Sequence, residues 1–266
     1  MVVFIPIKEE SQRVVGKNFR EYKGKPLWKH CLDKFTDYQV FIDTDSEIIL
    51  DEAEEYENVR AYERLDYLKG HETSVIDLIK NFVDIYQIED VVCQVHTTSP
   101  LLEIKHIKEA EQRMKKSKSD SIFSVDTIQD RLWRKEDYGI TPINHNPLKL
   151  EQTQDLPIYY RENSYFYMFR PEVLDTDNRI GKSPLMFEVE WPYNMDIDTE
   201  EDWNKVYEKL FGGFEDLSAT AEQDEKEEDE LENVPKEMKT KNGYLKDGFV
   251  VDSEDDEEDE DDDDED

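Results

Sequence analysis

Four short apolar segments most constrain how this chain can fold. They cover residues 2–7, 40–42, 91–95 and 120–125, and most are rich in β-branched side chains, as buried strands are. Apolar residues at helical spacing occupy residues 27–35 and 74–86, and a polar helix is expected at about residues 103–116. Residues 164–169 are strand-like, Ser46 is a candidate helix cap, and Thr199 with Asp202 predicts a capping box, with aspartate in place of glutamate or glutamine, for a last helix that ends near residue 211. Because strand, loop and helix alternate, we predict an α/β fold with a parallel or mostly parallel sheet covered on both faces.

Three polar loops follow three of these strands. They cover residues 8–18, 43–46 and 96–100. In open α/β sheets, ligands bind outside the carboxyl ends of the strands. We therefore expect these loops to converge on one site.

Charge is distributed unevenly along the 266 residues. From residue 215 to the end there are 26 acidic residues against five lysines, which leaves −14 of the total net charge of −35 for residues 1–214. In the closing run, residues 252–266, Ser253 is the one uncharged residue, so little apolar surface offsets the entropy cost of ordering. We predict one globular domain, residues 1–214, and an acidic disordered tail, residues 215–266.

Composition also bears on location and partners. No apolar run reaches the length of about 20 residues that a membrane span needs, and the first residues do not resemble a signal peptide. Cys31 and Cys93 lie in apolar stretches, which is typical of buried thiols. We expect a cytoplasmic protein that binds neither membrane nor nucleic acid, because phosphate contacts with nucleic acid need clustered basic residues.

The loop after the first strand carries three cations in ten residues. These are Lys8, Arg13 and Lys17, and Gly16 permits a tight turn between them. Such a cluster can neutralise a triphosphate, although an ordinary solvated loop has the same composition. The loop lacks the Walker pattern.

A pair of aspartates forms a candidate metal site near the end of the domain. Asp196 and Asp198 are two residues apart, which on an extended segment places both carboxylates on one side. Carboxylates beside phosphate oxygens are typical Mg²⁺ ligands. Asp43 and Asp45 form a competing pair, in which Asp45 has the alternative role of capping the next helix.

Five segments, in order, resemble motifs of the acylneuraminate (CMP-sialic acid synthetase-like) cytidylyltransferase family. IPIKEESQRVVGKN is similar to IPARGGSKRIPGKN, FIDTDS to IVSTDS, and QVHTTSPLL to LLQPTSPLR. TQDLPIYYRENSYFYMF is similar to RQQLPQAFRPNGAIYI, and MDIDTEEDW to IDIDTELDL. The resemblance covers roughly residues 2–210. Lys8, His96, Leu102 and Thr153 depart from the family pattern.

The resemblance implies a fold and a set of roles. The fold is a three-layer, nucleotide-diphospho-sugar-transferase-like (Rossmann-like) domain with a mixed, mostly parallel sheet, and the assembly is a homodimer. The roles are catalytic for Lys8, Arg13 and Lys17; nucleotide-binding for Asn18, Asp45, Arg64 and His96; substrate-binding for Gln154, Arg161 and Asn163; and Mg²⁺-binding for Asp196 and Asp198.

We therefore hypothesise an enzyme that couples CTP to an acidic 2-keto sugar of the sialic acid type, giving a CMP-sugar and pyrophosphate. Two alternatives stay open on the sequence. One is a metal-dependent glycosyltransferase, which also carries a D-x-D pair. The other is a degenerate nucleotidyltransferase-fold interaction protein whose acidic tail contacts basic proteins.

Overall fold

The computed structural model describes residues 1–11, 13–70 and 72–211. Met1–Phe211 form one compact unit. The predicted tail and the last residues of the predicted domain, 212–214, lie outside the described residues. No helix in the described part of the chain is long and apolar enough to cross a membrane.

Seven strands form the central sheet, in the order β11-β7-β10-β6-β1-β4-β5. β1, β4, β5 and β6 run parallel, whereas β10 is antiparallel to both β6 and β7, so the sheet is mixed and mostly parallel, as predicted. Two small hairpins, β2 with β3 and β8 with β9, lie outside it. The strands are β1 Val2–Ile7, β2 Glu21–Tyr22, β3 Lys25–Pro26, β4 Gln39–Thr44, β5 Val59–Glu63, β6 Val92–Val95, β7 Ser121–Ile128, β8 Trp133–Glu136, β9 Gly139–Pro142, β10 Tyr159–Phe169 and β11 Pro184–Glu188.

Five α-helices accompany the sheet: α1 Leu27–Leu32, α2 Glu47–Glu52, α3 Val75–Tyr86, α4 Ile104–Lys116 and α5 Glu200–Phe211. Successive strand side chains point to opposite faces of a sheet. In β1, Val3 and Ile5 accordingly pack with α1, α2 and α4, whereas Phe4 packs with α3. Helices thus cover both faces, giving three layers.

The four predicted strands and the helices after them are present in the structure, but three features differ from expectation. The polar edge strand β5, the hairpin β8–β9 and the strand β11 lack a clear apolar run and were not predicted. β10 begins five residues earlier than the predicted strand at residues 164–169 because its first half pairs with β7. Ser46 precedes α2 but makes no side-chain capping bond, and its buried hydroxyl has no partner.

Both cysteines are free and buried, as predicted. Burial raises the pKa of the Cys31 thiol to about 11, which keeps it protonated. Neither cysteine is therefore poised as a nucleophile.

Candidate active site

The cationic loop leaves β1 at the carboxyl edge of the sheet and folds over a small apolar cluster. Gly16 takes a left-handed conformation (φ 62°) at the turn into the short 3-10 helix Lys17–Phe19. Beneath the loop, buried Val14 packs with Ile197 and with Val206 of α5. This contact fixes the loop against the segment that carries the aspartate pair.

The cationic loop and the aspartate pair meet directly. Lys17 is only 8% exposed, and its ammonium donates to the carbonyl of Ile197 at 2.8 Å. Arg13 Nη1 lies 2.9 Å from Asp198 Oδ2. The backbone N–H of Ile197 in turn donates to the Thr98 carbonyl at 2.9 Å, so the loop after β6 joins the same site. Segments separated by about 180 residues in sequence share one surface.

Asn18 ties two of these loops together. Its side-chain amide donates to the Lys8 carbonyl at 2.9 Å and accepts from the Thr97 hydroxyl at 2.6 Å. Both polar ends of this buried side chain are thereby used inside the protein. Asn18 therefore holds the two loops together at the wall of the cleft.

An open cleft of about 260 Å³ lies between these loops. Its walls combine cationic and polar side chains, which suits a charged and hydrated ligand better than an apolar one. The lining residues are Pro6, Lys8, Glu10, Ser11, Arg13, Lys17, Asn18, His96, Thr97 and Thr98.

Burial perturbs the charged groups beside the cleft. It lowers the pKa of Lys17, and attraction to Asp196 and Asp198 offsets part of that effect. Burial also raises the pKa of Asp196, the nearby Asp198 adds to the rise, and a hydrogen bond from Thr98 opposes it. An anionic ligand in the cleft would favour the charged form of Lys17, and a bound cation would favour the charged form of Asp196.

The aspartate pair fits a magnesium ion. Asp196 Oδ1 is buried and has no hydrogen-bond partner, and a cation would satisfy it. No cluster of three or more His, Cys, Asp or Glu suited to a metal occurs within residues 1–11, 13–70 and 72–211. Mg²⁺ typically binds through one or two carboxylates and completes its shell with water and substrate phosphates, so two aspartates suffice here.

Two of the predicted nucleotide-binding residues, Asp45 and Arg64, are not among the residues that line the cleft. Asp45 Oδ1 accepts the backbone N–H of Glu9 at 2.8 Å, which holds the start of the cationic loop. Arg64 is 1% exposed, and its Nε donates to the buried carboxylate of Asp43. Asp45 thus holds the cationic loop, and Arg64 is occupied by a buried ion pair.

Two of the three predicted sugar-binding residues gather around a carboxylate that sequence reasoning missed. Asp126, at the carboxyl end of β7, accepts from Arg161 Nε at 3.0 Å and from Asn163 Nδ2 at 2.6 Å. Asn194 adds a third bond at 2.9 Å and connects this cluster to the aspartate loop two residues later. Burial raises the pKa of Asp126, but these hydrogen bonds outweigh it and lower the pKa overall.

Gln154 stands apart from this cluster. It lies exposed in the short helix Thr153–Asp155, where its amide donates to Gln152. A signal for Asp126 was present in the sequence, since an aspartate closes an apolar strand at the edge where ligands bind. Nothing in the sequence marked Asn194.

Comparisons with known proteins identify the family to which the chain is similar. A model of the family described as cytidylyltransferase matches residues 2–236. The chain is 28% identical over 214 residues to N-acylneuraminate cytidylyltransferase A of Danio rerio, covering 77% of this chain and 50% of that protein. It is 26% identical over 212 residues to pseudaminic acid cytidylyltransferase of Campylobacter jejuni, covering 74% and 90%. The chain thus spans about half the length of the vertebrate relative.

Solved structures show the same fold at low sequence identity. CMP:2-keto-3-deoxy-manno-octonic acid synthetase complexed with CTP aligns with a TM-score of 0.57 and 16% identity, covering 79% of this chain and 97% of that one. A 4-diphosphocytidyl-2C-methyl-D-erythritol synthase from Anaerococcus prevotii aligns with a TM-score of 0.56 and 13% identity, covering 79% and 96%.

Proposed function

Because this chain belongs to the cytidylyltransferase family, we propose that it transfers CMP from CTP to an acidic 2-keto sugar of the sialic acid type and releases pyrophosphate. The observation that carries the proposal is the meeting of Arg13 and Lys17 with the aspartate pair in one polar cleft. A triphosphate needs cations, and a metal needs carboxylates, at the same place.

In the proposed reaction, a hydroxyl oxygen of the sugar bonds to the α-phosphorus of CTP while the bond to pyrophosphate breaks. Lys8, Arg13 and Lys17 balance the triphosphate charge, and the loop after β6 orients the nucleotide. Asp196 and Asp198 would hold Mg²⁺, which would supply neutralisation of phosphate charge. Positioning and electrostatics dominate such transfers.

The sugar site is proposed at the Asp126 cluster. The side chain of Arg161 is 66% exposed, so its guanidinium can receive a carboxylate although one edge is paired with Asp126. Asn163 and Asn194 are held by the same carboxylate at hydrogen-bond distance. A sugar acid placed here would lie between β7, β10 and the aspartate loop.

The family match favours this reaction over the glycosyltransferase alternative, since it concerns transfer from a free cytidine nucleotide rather than from a nucleotide sugar. The relatives with curated names act on acylneuraminate or pseudaminic acid, so a panel of sugar acids is the informative substrate set.

The proposal is tested by measuring pyrophosphate release from CTP in the presence of Mg²⁺. The acceptors are N-acetylneuraminate, pseudaminate and 2-keto-3-deoxy-octonate. We expect release with at least one acceptor and its loss in Asp196→Asn. Asp51→Asn, an exposed aspartate on α2, is the matched control and should retain activity. No release with any acceptor, or equal release in Asp196→Asn, would contradict the proposal.

A further inference from the structure

A chain of polar contacts runs from Arg179 to the wall of the cleft. The guanidinium of Arg179 lies over the ring of Tyr167, 3.4 Å from its centroid, and Nη1 donates to Gln94 Oε1 at 2.7 Å. Gln94 is completely buried in β6. Its Nε2 lies 3.0 Å from Nε2 of His96, the first residue after the strand ends.

Arg179 determines which way the Gln94 amide faces. A guanidinium has only donors, so the atom of Gln94 that it meets must be the carbonyl oxygen. The amide nitrogen then points at His96. An amide nitrogen only donates, so His96 Nε2 must offer a lone pair.

From this geometry we propose that Arg179 is a positioning residue which, through Gln94, holds His96 as a neutral imidazole with its proton on Nδ1. His96 then presents a single N–H donor in the cleft. A protonated ring would set two donors against each other at 3.0 Å, which disfavours the imidazolium.

The charges around His96 act in the same direction. Burial and, after it, the positive charges of Arg179 and Lys17 together lower the pKa of His96 to about 4. The ring is therefore neutral across the physiological range, and its hydrogen-bonding role does not change with pH there.

The consequence for specificity rests on the proposed function. Because Nε2 is used by Gln94, His96 can donate to an acceptor oxygen of the bound nucleotide or sugar but cannot accept from a ligand donor. His96 lines the cleft beside Thr97 and Thr98. It thus selects for a hydroxyl, carbonyl or carboxylate oxygen at one place on the ligand.

The tautomer is measurable without any activity. Nitrogen-15 NMR of the full chain labelled at its five histidines distinguishes Nδ1–H, Nε2–H and charged rings, and His96→Gln assigns the signal by its disappearance. We expect the neutral Nδ1–H form in the wild type. A wild-type Nε2–H or charged ring would overturn the proposal.

Isosteric and conservative variants test the role of each member. Gln94→Glu places a carboxylate beside Nε2, which should move the proton to Nε2 and raise the pKa of His96. Arg179→Met should give a mixture of tautomers, whereas Arg179→Lys, which keeps a donor for Gln94 Oε1, should restore the Nδ1–H form. An unchanged tautomer in both Gln94→Glu and Arg179→Met would overturn the assignment.

A folding control and an activity readout complete the test. The His106 ring, which packs against Tyr165 and Phe187, should keep its signals in every folded variant. Loss of one hydrogen bond predicts that Arg179→Met lowers kcat/KM about tenfold, and Arg179→Lys much less. Failure of the proposed function would instead appear as no pyrophosphate release from a wild type that still shows the Nδ1–H ring.

Discussion

The side chain of Lys17 illustrates how a single residue gains its role from burial. Its ammonium is held 2.8 Å from the Ile197 carbonyl, and both aspartates lie near enough to affect its pKa. A cation kept in place before the ligand arrives needs no reorganisation when phosphate charge develops.

Replacing Lys17 with Met should therefore lower kcat/KM for CTP about hundredfold, the usual effect of losing one preorganised donor. The protein should stay folded, because burial already opposes the Lys17 charge. Steady-state pyrophosphate release measures the effect. Lys108→Met, an exposed cation on α4, is the control, and equal activity in both variants would contradict the role.

Asp126 is the second residue whose removal should be informative. Asp126→Asn removes a carboxylate that accepts from Arg161, Asn163 and Asn194, so it should lower the free energy of unfolding by about 2–3 kcal/mol at neutral pH. Urea unfolding measures this change.

The pH dependence of that change has a defined sign. The folded-state pKa of Asp126 is lowered, so its contribution is present above the unfolded value of about 3.9 and is lost as the pH falls towards the folded value. The difference between Asp126→Asn and the wild type should stay level from about pH 7 to about pH 5 and should narrow below about pH 4. A difference that stays constant below about pH 4 would contradict the assignment.

At the scale of elements, helix α5 supports the aspartate loop through its N-terminus. Asp202 Oδ2 accepts the backbone N–H of Thr199 at 2.9 Å and of Asp198 at 3.2 Å, and its own N–H donates to the Thr199 hydroxyl at 3.1 Å. This is the predicted capping box with aspartate in place of glutamate or glutamine. Arg20 adds a two-bond contact to Glu200 at 2.6 Å.

Removal of this cap should affect both the helix and the site. Asp202→Ala should cost about 1 kcal/mol of stability through the lost cap. It should also lower the apparent affinity for Mg²⁺ about tenfold, because Asp198 loses its outer-shell support. Magnesium titration of pyrophosphate release measures this, with Glu201→Ala in the same turn as control. A loss of stability without a change in the apparent Mg²⁺ affinity would contradict the role of the cap in supporting Asp198.

At the scale of the whole molecule, residues 133–160 carry nine of the 17 exposed large hydrophobic side chains of the described residues. Tyr138, Leu148 and Leu150 are more than 90% exposed. Monomeric proteins rarely expose contiguous apolar patches of this kind. We propose that this segment, residues 133–160, packs against a second copy of the chain in the expected homodimer.

Leu148→Glu combined with Leu150→Glu should convert the dimer to a monomer, because burying two carboxylates in an apolar interface is costly. Light scattering coupled to gel filtration measures the mass. Ile85→Glu, half exposed on α3, is the control that should leave the dimer intact. A wild-type monomer would exclude this proposal.

The acidic tail provides a further test of the whole chain. Truncation after Phe214 should leave kcat/KM unchanged if residues 1–214 suffice for catalysis. The interaction-protein alternative predicts instead that the tail is needed. Pyrophosphate release from the truncated and full-length chains compares the two, and lost activity on truncation would favour the alternative.

Local sequence determined the four buried strands with clear apolar runs, the helices after them and the chemistry of the loops. Strand β1 and helix α3 were predictable because burial on two faces requires an apolar run and burial on one face requires helical periodicity. The cations after β1 and the pair Asp196 and Asp198 were visible because both lie in segments that resemble motifs of a known family, in the same order.

Only the tertiary structure decided which of these groups meet. Asn194 bonds to Asp126 across 68 positions of the sequence, and Arg179 bonds to Gln94 across 85 positions. No periodicity in the sequence encodes such contacts. Arg64 shows the converse, since a cation near the site was turned inward to pair with Asp43. Sequence patterns report what a segment buries, whereas hydrogen-bond partners depend on which strands become neighbours in the sheet.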